Sequence, residues 1–240
     1  MPRIFITGSS DGLGKIAAEK LINQGHQVIL HARNEKRADE TRASFGDSAR
    51  VCVADLAKVD EVKALAEEVN SIGKMDAIIH NAGVYQVDSK TILVVNVLAP
   101  FILTSLIEKP QRLIYLSSGM HRGGRAIFRE SDLDSISYSD SKLMVTAMTL
   151  AVAKKYPEVY ANAVDPGWVP TKMGGGNAPD SFDLGTNTQV WLAESVSPLA
   201  LVSGKYFKFM EVHDPHASAN NAEYQGQLMA YLEKQTGLSL

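Results

Sequence analysis

Short apolar runs alternate with amphipathic stretches along nearly the whole chain. Strands are predicted from the runs at residues 3–7, 27–30, 50–53, 77–80, 112–116, 160–164 and 205–209. Most of these runs are apolar throughout rather than alternating, which is typical of strands covered on both faces. Helices are predicted between them, for example at residues 14–24 and 58–72. This alternation predicts right-handed βαβ units and a doubly wound parallel sheet with helices on both faces.

The composition is that of an ordinary globular domain, with 45% hydrophobic and 21% charged residues among 240. No repeat, low-complexity tract or linker divides the chain, so we expect a single α/β domain over residues 1–240. The formal net charge is −3 and there is no basic run, which argues against nucleic acid as a partner. We expect the apolar runs to be too short to cross a bilayer, and therefore a cytoplasmic protein with no membrane partner.

A glycine-rich turn follows the first predicted strand. Residues 8–14 read GSSDGLG and lead directly into a predicted helix. Gly8 would allow a sharp turn, Gly12 would leave room for a pyrophosphate, and Gly14 would let the helix pack closely on the strand. The helix N-terminus adds free N–H groups and a positive dipole end. In this context the turn predicts a dinucleotide phosphate site rather than a bare βα connection.

Tyr138 and Lys142 form the most informative pair in the sequence. Their separation of four places both side chains on one face of a helix. A neighbouring ammonium favours the phenolate, so we expect Lys142 to lower the pKa of Tyr138 towards the range useful for proton transfer. Ser118, at the end of the fifth predicted strand, could hold a substrate oxygen beside the tyrosine hydroxyl. Alone, this spacing usually marks a solvated helical face; after the glycine turn, residues 81–83 and Ser118, it favours proton-transfer chemistry.

Together these segments resemble the motif set of the short-chain dehydrogenase/reductase superfamily, from the first strand to the C-terminal helix. Within it, residues 117–121, 141–143 and 202–207 are similar to the retinol-dehydrogenase-like group. The resemblance implies a Rossmann-type fold. It also implies an oxidoreductase that transfers a hydride between a nicotinamide cofactor and the carbonyl or alcohol carbon of a small molecule.

The resemblance further implies a role for each matching residue. Tyr138 would be the general acid and base, and Lys142 its pKa modulator and a ribose ligand. Ser118 would orient the carbonyl, and Asn96 would hold a water in a proton relay. No metal is implied. Cofactor contacts are implied for Gly8, Ser10, Gly12, Leu13, Gly14, Arg33, Asn34, Asp55, Leu56, Asn81, Ala82, Gly83, Tyr138, Lys142, Pro166, Gly167, Val169 and Thr171.

The end of the second predicted strand indicates which cofactor is used. Enzymes of this fold that use NAD(H) carry an acid there, which binds the ribose hydroxyls. This chain has Ala32 at that position, followed by Arg33. A guanidinium can hold a 2′-phosphate through two parallel hydrogen bonds, whereas Asp11 in the glycine turn is a mild counter-signal. We expect NADP(H) to be preferred, with NAD(H) usable.

Two other functions share parts of this pattern. A sugar-nucleotide epimerase or dehydratase uses a similar Tyr–Lys pair, but such chains resemble a longer form with a separate substrate domain. About thirty residues after the last predicted strand leave little room for one. A non-catalytic NADP(H)-binding regulator could share the fold, although such proteins typically lack the tyrosine or the lysine. A carbonyl reductase or alcohol dehydrogenase is favoured over both.

The surroundings of the predicted site add further expectations. A mostly apolar pocket wall favours an aldehyde, ketone or lipophilic alcohol; its members are Val84, Tyr85, Met120, His121, Trp168, Met173 and Phe182. Residues 170–183, rich in glycine and proline, are expected to form a mobile lid. His80 is expected to be a satisfied strand-end residue, whereas His121 fits a pocket wall and a plain loop equally well.

The family resemblance also bears on assembly. Gly83 and Asn96 lie closer together in this sequence than is usual in the family, and the stretch from Asn96 to Ser118 is short as well. Many relatives build a subunit interface from the helices of this region. If the chain forms a homo-oligomer, we therefore expect a dimer rather than a tetramer.

Overall fold

The computed structural model describes residues 1–46, 50–126 and 135–240. One eight-stranded sheet runs through it in the order β3-β2-β1-β4-β5-β6-β7-β8. All neighbouring strands are parallel except β7 and β8, so the predicted doubly wound sheet is confirmed. The strands are β1 (Arg3–Ile6), β2 (Gln27–Ala32), β3 (Arg50–Val53), β4 (Ala77–His80), β5 (Arg112–Leu116), β6 (Tyr160–Asp165), β7 (Tyr206–Lys208) and β8 (Glu211–His213).

Helices cover both faces of this sheet. They are α1 (Gly12–Asn23), α2 (Glu35–Phe45), α3 (Val59–Ile72), α4 (Ser89–Leu93), α5 (Ala99–Leu106), α6 (Tyr138–Lys155), α7 (Phe182–Glu194) and α8 (Ala222–Thr236). A π-helical turn, Val94–Leu98, joins α4 to α5, and 3-10 turns occupy Gly119–Gly123 and Ala217–Asn220. Successive strand residues point to opposite faces. Phe5 accordingly packs in the core with α3, α5 and α6, while Ile4 and Ile6 pack in the core with α1 and α7.

The final strand is shorter than predicted, and a further strand was missed. Phe209 and Met210 both have positive φ, at 52° and 66°, and turn the chain back so that β8 pairs antiparallel with β7. Two-residue hairpin turns with positive φ usually carry Asn-Gly or Asp-Gly, and this one carries neither. The sequence therefore held no turn signal at this point.

One expectation about apolar runs was wrong. The helical stretch Ser89–Leu106 has 18 residues and is apolar enough to cross a bilayer by length and composition. In the fold, 72% of it is buried, against α3 and α6 among others, as in the core helix of many proteins. The hydrophobic periodicity did not predict one helical stretch of this length, because Pro100 and the π-helical turn interrupt the regular helical pattern.

Candidate active site

A cavity of about 440 Å³ opens at the carboxyl ends of the central strands, where open α/β sheets bind ligands. Fourteen of the predicted site residues line it: Gly8, Ser10, Gly12, Leu13, Arg33, Asp55, Leu56, Asn81, Ala82, Gly83, Tyr138, Lys142, Pro166 and Thr171. Leu116 and Ser117 line it as well. The cavity thus joins the end of β2 to the start of α6, along the glycine turn. A volume of this size suits a small molecule or part of a cofactor.

The glycine turn is a cradle that side chains would fill. Gly8 and Gly12 have positive φ, at 63° and 54°, which other residues rarely adopt. A Cβ on Gly8 would stand 3.0 Å from the Cα of Ala82, and one on Gly14 would stand 2.5 Å from the Gly8 carbonyl oxygen. Gly14 therefore serves close packing rather than the cavity wall. The turn fits a pyrophosphate approaching the backbone at the α1 N-terminus.

Two residues that sequence reasoning missed fix the position of this turn. The His31 Nδ1 accepts a hydrogen bond from Gly8 N at 2.9 Å, and its Nε2 lies 2.9 Å from the Ala54 carbonyl oxygen. His31 must therefore be neutral with the proton on Nε2, and burial lowers its pKa to about 4. Ser9 accepts from His31 N and donates to Ile6 O, both at 2.9 Å. Both side chains are buried, which their positions in the sequence do not indicate.

Asn81 holds the same turn from β4. Its side-chain amide donates to the carbonyl oxygens of Thr7 and Gly8, at 3.0 and 3.1 Å. The Thr7 hydroxyl in turn accepts from Ala82 N at 3.1 Å. The predicted Asn-Ala-Gly segment therefore shapes the cradle, and at Gly83 a Cβ would stand 3.4 Å from the Lys142 Nζ.

The far end of the cavity carries an exposed cation. Arg33 lines the cavity, and no hydrogen bond or ion pair engages it among the residues that the structure describes. Asp55 and Leu56 line the same end. The sequence did not single out Arg37, which donates to Ser10 O at 3.2 Å and forms an ion pair with Asp11 at 3.2 Å.

Asn34, a predicted cofactor contact, lies outside the cavity lining. Its side chain accepts from Arg37 N at 3.0 Å and caps the N-terminus of α2. Asparagine is a strong N-cap residue, and α2 begins directly after it. The capping requirement therefore explains this asparagine without a ligand.

A capping box sets where α6 begins and so where Tyr138 lies. Asp140 N donates to the Ser137 hydroxyl at 3.1 Å, and Ser137 N donates to the Asp140 carboxylate at 3.0 Å. Arg125 also pairs with this carboxylate at 2.7 Å. Tyr138 is therefore the first helical residue, and Lys142 follows one turn later on the same face.

The side chain of Ser118 acts on the pKa of Tyr138 as a hydrogen-bonding neighbour of its hydroxyl, as the predicted pairing requires. The ring of Tyr85 packs against the Tyr138 ring edge-on, with 5.0 Å between centroids. The pKa of Tyr138 is raised to about 12, mainly by burial and further by the negative charge of Asp165, while the Ser118 hydrogen bond opposes the shift.

The expectation that Lys142 lowers this pKa is wrong for the protein without cofactor. Lys142 is 4% exposed, donates to the Leu116 carbonyl oxygen at 2.7 Å, and has its Nζ 5.5 Å from the centre of the Tyr138 ring. Burial lowers the pKa of Lys142 to about 8, so the ammonium loses its proton before the phenol does. The shared helical face of Tyr138 and Lys142 is confirmed. Helical periodicity does not, however, predict how deeply Lys142 is buried.

Asn96 lies within the π-helical turn, a distortion often found at functional sites. Its Oδ1 accepts from Val84 N at 2.8 Å, and its Nδ2 donates to Val84 O and to the Ser141 hydroxyl at 3.1 and 3.0 Å. The side chain therefore fixes the loop after β4. The role of Asn96 in a proton relay stays a prediction.

The loop after β6, for which a mobile lid stays a prediction, is held by contacts of its own. The Trp168 indole donates to Gly174 O at 2.7 Å, and Asp180 accepts from Trp168 N at 2.7 Å. Lys172 forms an ion pair with Asp11 in the glycine turn, and α7 already begins at residue 182. Pro166 and Thr171 line the cavity, whereas Gly167 and Val169 do not.

Neither candidate histidine lines the cavity. His121 is fully buried; its Nδ1 donates to Ser118 O at 2.7 Å and its Nε2 accepts from His216 N at 2.9 Å, so it holds the Ser118 segment. His80 stacks on Tyr115 with 4.6 Å between centroids and lies 3.3 Å from the Thr104 hydroxyl. Its Nδ1 has no hydrogen-bond partner among the residues that the structure describes, so the expectation of a satisfied residue holds for one ring nitrogen only.

Comparison with known proteins finds a family model, relatives and solved structures similar to this chain. The short chain dehydrogenase family model matches residues 2–181. A short-chain dehydrogenase of Penicillium rubens is 38% identical, over 100% of this chain and 99% of its own. Retinol dehydrogenase 14 of Mus musculus is 28% identical, over 71% of this chain and 62% of its own. A blue fluorescent protein from a metagenomic library, crystallised with NADPH, superposes with a TM-score of 0.73 at 21% identity, over 86% and 95% of the two chains.

The family model spans three quarters of the 240 residues and includes the glycine turn and the Tyr138–Lys142 face. The Penicillium relative extends the match to the C-terminus. On these grounds the chain belongs to the short-chain dehydrogenase family and is related to its retinol-dehydrogenase-like members.

Proposed function

We propose that this protein transfers a hydride between NADP(H) and the carbonyl or alcohol carbon of an apolar aldehyde, ketone or alcohol. The observation that carries this proposal is the Tyr138 hydroxyl at the wall of the cavity, with Ser118 as its hydrogen-bonding neighbour and Lys142 one helical turn away. Among the described residues that line this cavity, Tyr138 is the only phenol.

Each residue of this group has a separate task in carbonyl reduction. Ser118 donates a hydrogen bond to the carbonyl oxygen and holds it beside Tyr138. The Tyr138 hydroxyl then transfers its proton to that oxygen, and in alcohol oxidation the phenolate accepts the proton back. Lys142 binds the ribose and brings positive charge near the phenol. When bound, the nicotinamide supplies or accepts the hydride.

The cofactor preference rests on Arg33. An exposed guanidinium without a protein partner can meet a 2′-phosphate at little desolvation cost, and Ala32 places no carboxylate in its way. Arg37 brings a second guanidinium close to Ser10. The NADPH complex of a protein with this fold is consistent with the preference.

The substrate class follows from the side chains around the Tyr138 end of the cavity. Tyr85 packs on Tyr138, Met173 lines the cavity, and Met120 and Trp168 are exposed on the loops that follow β5 and β6. These side chains offer apolar contact and no charge. They favour a lipophilic carbonyl compound over a phosphorylated or acidic one. We place this reaction in the cytoplasm, on a substrate free in solution.

A substrate panel tests the proposal. Purified protein is mixed with NADPH or NADP⁺ and a series of apolar aldehydes, ketones and secondary alcohols, together with acidic and phosphorylated analogues. The absorbance of the reduced nicotinamide should change with apolar members and depend on Ser118, so that Ser118→Ala removes most of the rate. Tight NADP(H) binding with no turnover of any member would instead support the non-catalytic alternative.

A further inference from the structure

Asp165 is a buried carboxylate that the proposed reaction does not use. It ends β6, is 4% exposed and does not line the cavity. Within residues 1–46, 50–126 and 135–240, no lysine, arginine or histidine lies close enough to form an ion pair with it. An uncompensated buried charge is costly, so its presence calls for a reason.

The carboxylate is fixed by two hydrogen bonds and lies directly beneath the Ser118 segment. Its Oδ1 accepts from Gly167 N at 2.9 Å, and its Oδ2 accepts from the Tyr206 hydroxyl at 3.1 Å. A Cβ on Gly119 would stand only 3.1 Å from Oδ2. Ser118 directly precedes Gly119, and Ser118 and Asp165 both act on the pKa of Tyr138, so the carboxylate lies near the proton-transfer pair.

We propose that Asp165 is a positioning residue that keeps the proton on Tyr138 and so favours proton donation to a carbonyl over proton removal from an alcohol near neutral pH. This inference rests on the proposed function. A negative charge opposes formation of a second one nearby, and the low polarity of the site strengthens the repulsion.

The other groups that face Tyr138 do not cancel this effect in the protein without cofactor. Lys142, on the same helix, has a pKa of about 8 and is therefore neutral where Tyr138 titrates, and Tyr85, from the loop after β4, brings no positive charge to it. The pKa of Tyr138 is raised first by burial and then by Asp165 and Tyr85. Ser118 alone opposes these shifts.

The groups on the far side of Asp165 supply no ion-pair partner for it among the described residues. Tyr206, on β7, donates to it, and burial and this carboxylate together raise the pKa of Tyr206. His121 lies beside Tyr206, with 4.6 Å between ring centroids, and is held neutral because its Nε2 accepts from His216 N. Arg122 is directed to Asp214 O and lies 6.0 Å from the Tyr206 ring.

The sign of the pH effect follows from the proton count. Reduction needs the phenol, so kcat/KM for a carbonyl falls as pH rises through the pKa of Tyr138. Oxidation needs the phenolate, so kcat/KM for an alcohol rises through the same pKa. Removing the Asp165 charge lowers that pKa, and both limbs should move to lower pH together.

Asp165→Asn tests the inference because it keeps the shape and an acceptor for Gly167 N. With NADPH or NADP⁺ saturating, we expect the pH-dependent limbs of both kcat/KM profiles to move to lower pH by about one unit. A second readout needs no turnover. The tyrosinate absorbance of the cofactor-free protein is titrated with pH, and the signal of the same protein carrying Tyr138→Phe is subtracted to leave the contribution of Tyr138. The Tyr138 signal should appear at lower pH in Asp165→Asn. Asp165→Ser, also uncharged, serves if the asparagine variant does not fold.

Tyr206→Phe is the matched control, since it removes a hydrogen bond from the same network and leaves the carboxylate. It should not move either limb to lower pH. Unmoved limbs and an unmoved tyrosinate signal in Asp165→Asn, or an equal downward shift in Tyr206→Phe, would overturn the inference. If Tyr138→Phe keeps its activity, the proposed function fails instead, and the absorbance titration still decides whether Asp165 acts on Tyr138.

Discussion

The two ends of the cavity each present a cation, and their surroundings differ in almost every respect. Arg33 is exposed at the end of β2, with no partner among the described residues. Lys142 is buried on α6, is bound to the Leu116 carbonyl oxygen, and has a pKa lowered to about 8. An exposed guanidinium keeps its charge and is free to recognise an anion, whereas a buried ammonium responds to whatever binds beside it.

This contrast predicts different consequences for changes at the two ends. Changes near Arg33 should alter which cofactor binds and leave the chemical step alone. Changes near Lys142 and Tyr138 should alter the rate and its pH dependence, since proton transfer takes place there. The variants below separate affinity at one end from chemistry at the other.

The largest effect is expected at the end of the cavity that holds Tyr138 and Lys142. Tyr138→Phe removes only the transferable proton, so the variant should fold and bind NADP(H) normally while turnover falls by about 10²- to 10⁴-fold. Steady-state rates on the best substrate and cofactor titration by fluorescence measure the two properties separately. Retention of more than about a tenth of the wild-type rate would show that Tyr138 is not the acid and base.

The next effect is expected at the opposite end. Arg33→Ala should weaken NADP(H) binding by about ten- to a hundredfold, or about 1.5–3 kcal/mol, and leave NAD(H) binding nearly unchanged. Lys36→Ala is the matched control, because Lys36 is an exposed cation on α2 that does not line the cavity. Equal loss of both cofactors in Arg33→Ala, or a wild type that prefers NAD(H), would mean that Arg33 does not bind the 2′-phosphate.

Lys142→Met should change both the pH dependence of carbonyl reduction and the affinity for the cofactor. Loss of the ammonium makes the phenolate less favourable, so the basic limb of carbonyl reduction should move to higher pH, by about one unit, with weaker cofactor binding. In the cofactor-free protein Lys142 titrates first, near pH 8, so the tyrosinate titration of Tyr138 should not change. A limb that stays in place with unchanged cofactor affinity would refute the pairing.

The smallest effect is expected at the ion pair that spans the cavity. Lys172 and Asp11 are both exposed, and such pairs contribute at most about 1 kcal/mol. Lys172→Met should speed cofactor dissociation by up to about fivefold and raise hydrogen exchange in residues 170–181. Lys15→Met, which breaks the Lys15–Glu19 pair on α1, should do neither. Identical exchange in wild type and Lys172→Met would show that the pair does not hold the loop.

Much of this arrangement could be predicted from the sequence, since it depends on local spacing. The strands, the glycine turn and the shared face of Tyr138 and Lys142 follow from periodicity and motif order. What could not be predicted depends on contacts between distant segments. His31 reaches Gly8 across 23 positions, and the burial of Lys142, which decides its pKa, appears only once the chain has folded.

Transfer of a labelled hydride tests the central claim most directly. NADPH carrying deuterium at the transferable position is incubated with protein and a responsive ketone, and the product alcohol is analysed by mass spectrometry. The account predicts one deuterium on the carbinol carbon in wild type, formed far more slowly by Tyr138→Phe. Alcohol that carries no deuterium, or labelled alcohol formed equally fast by Tyr138→Phe, would contradict it.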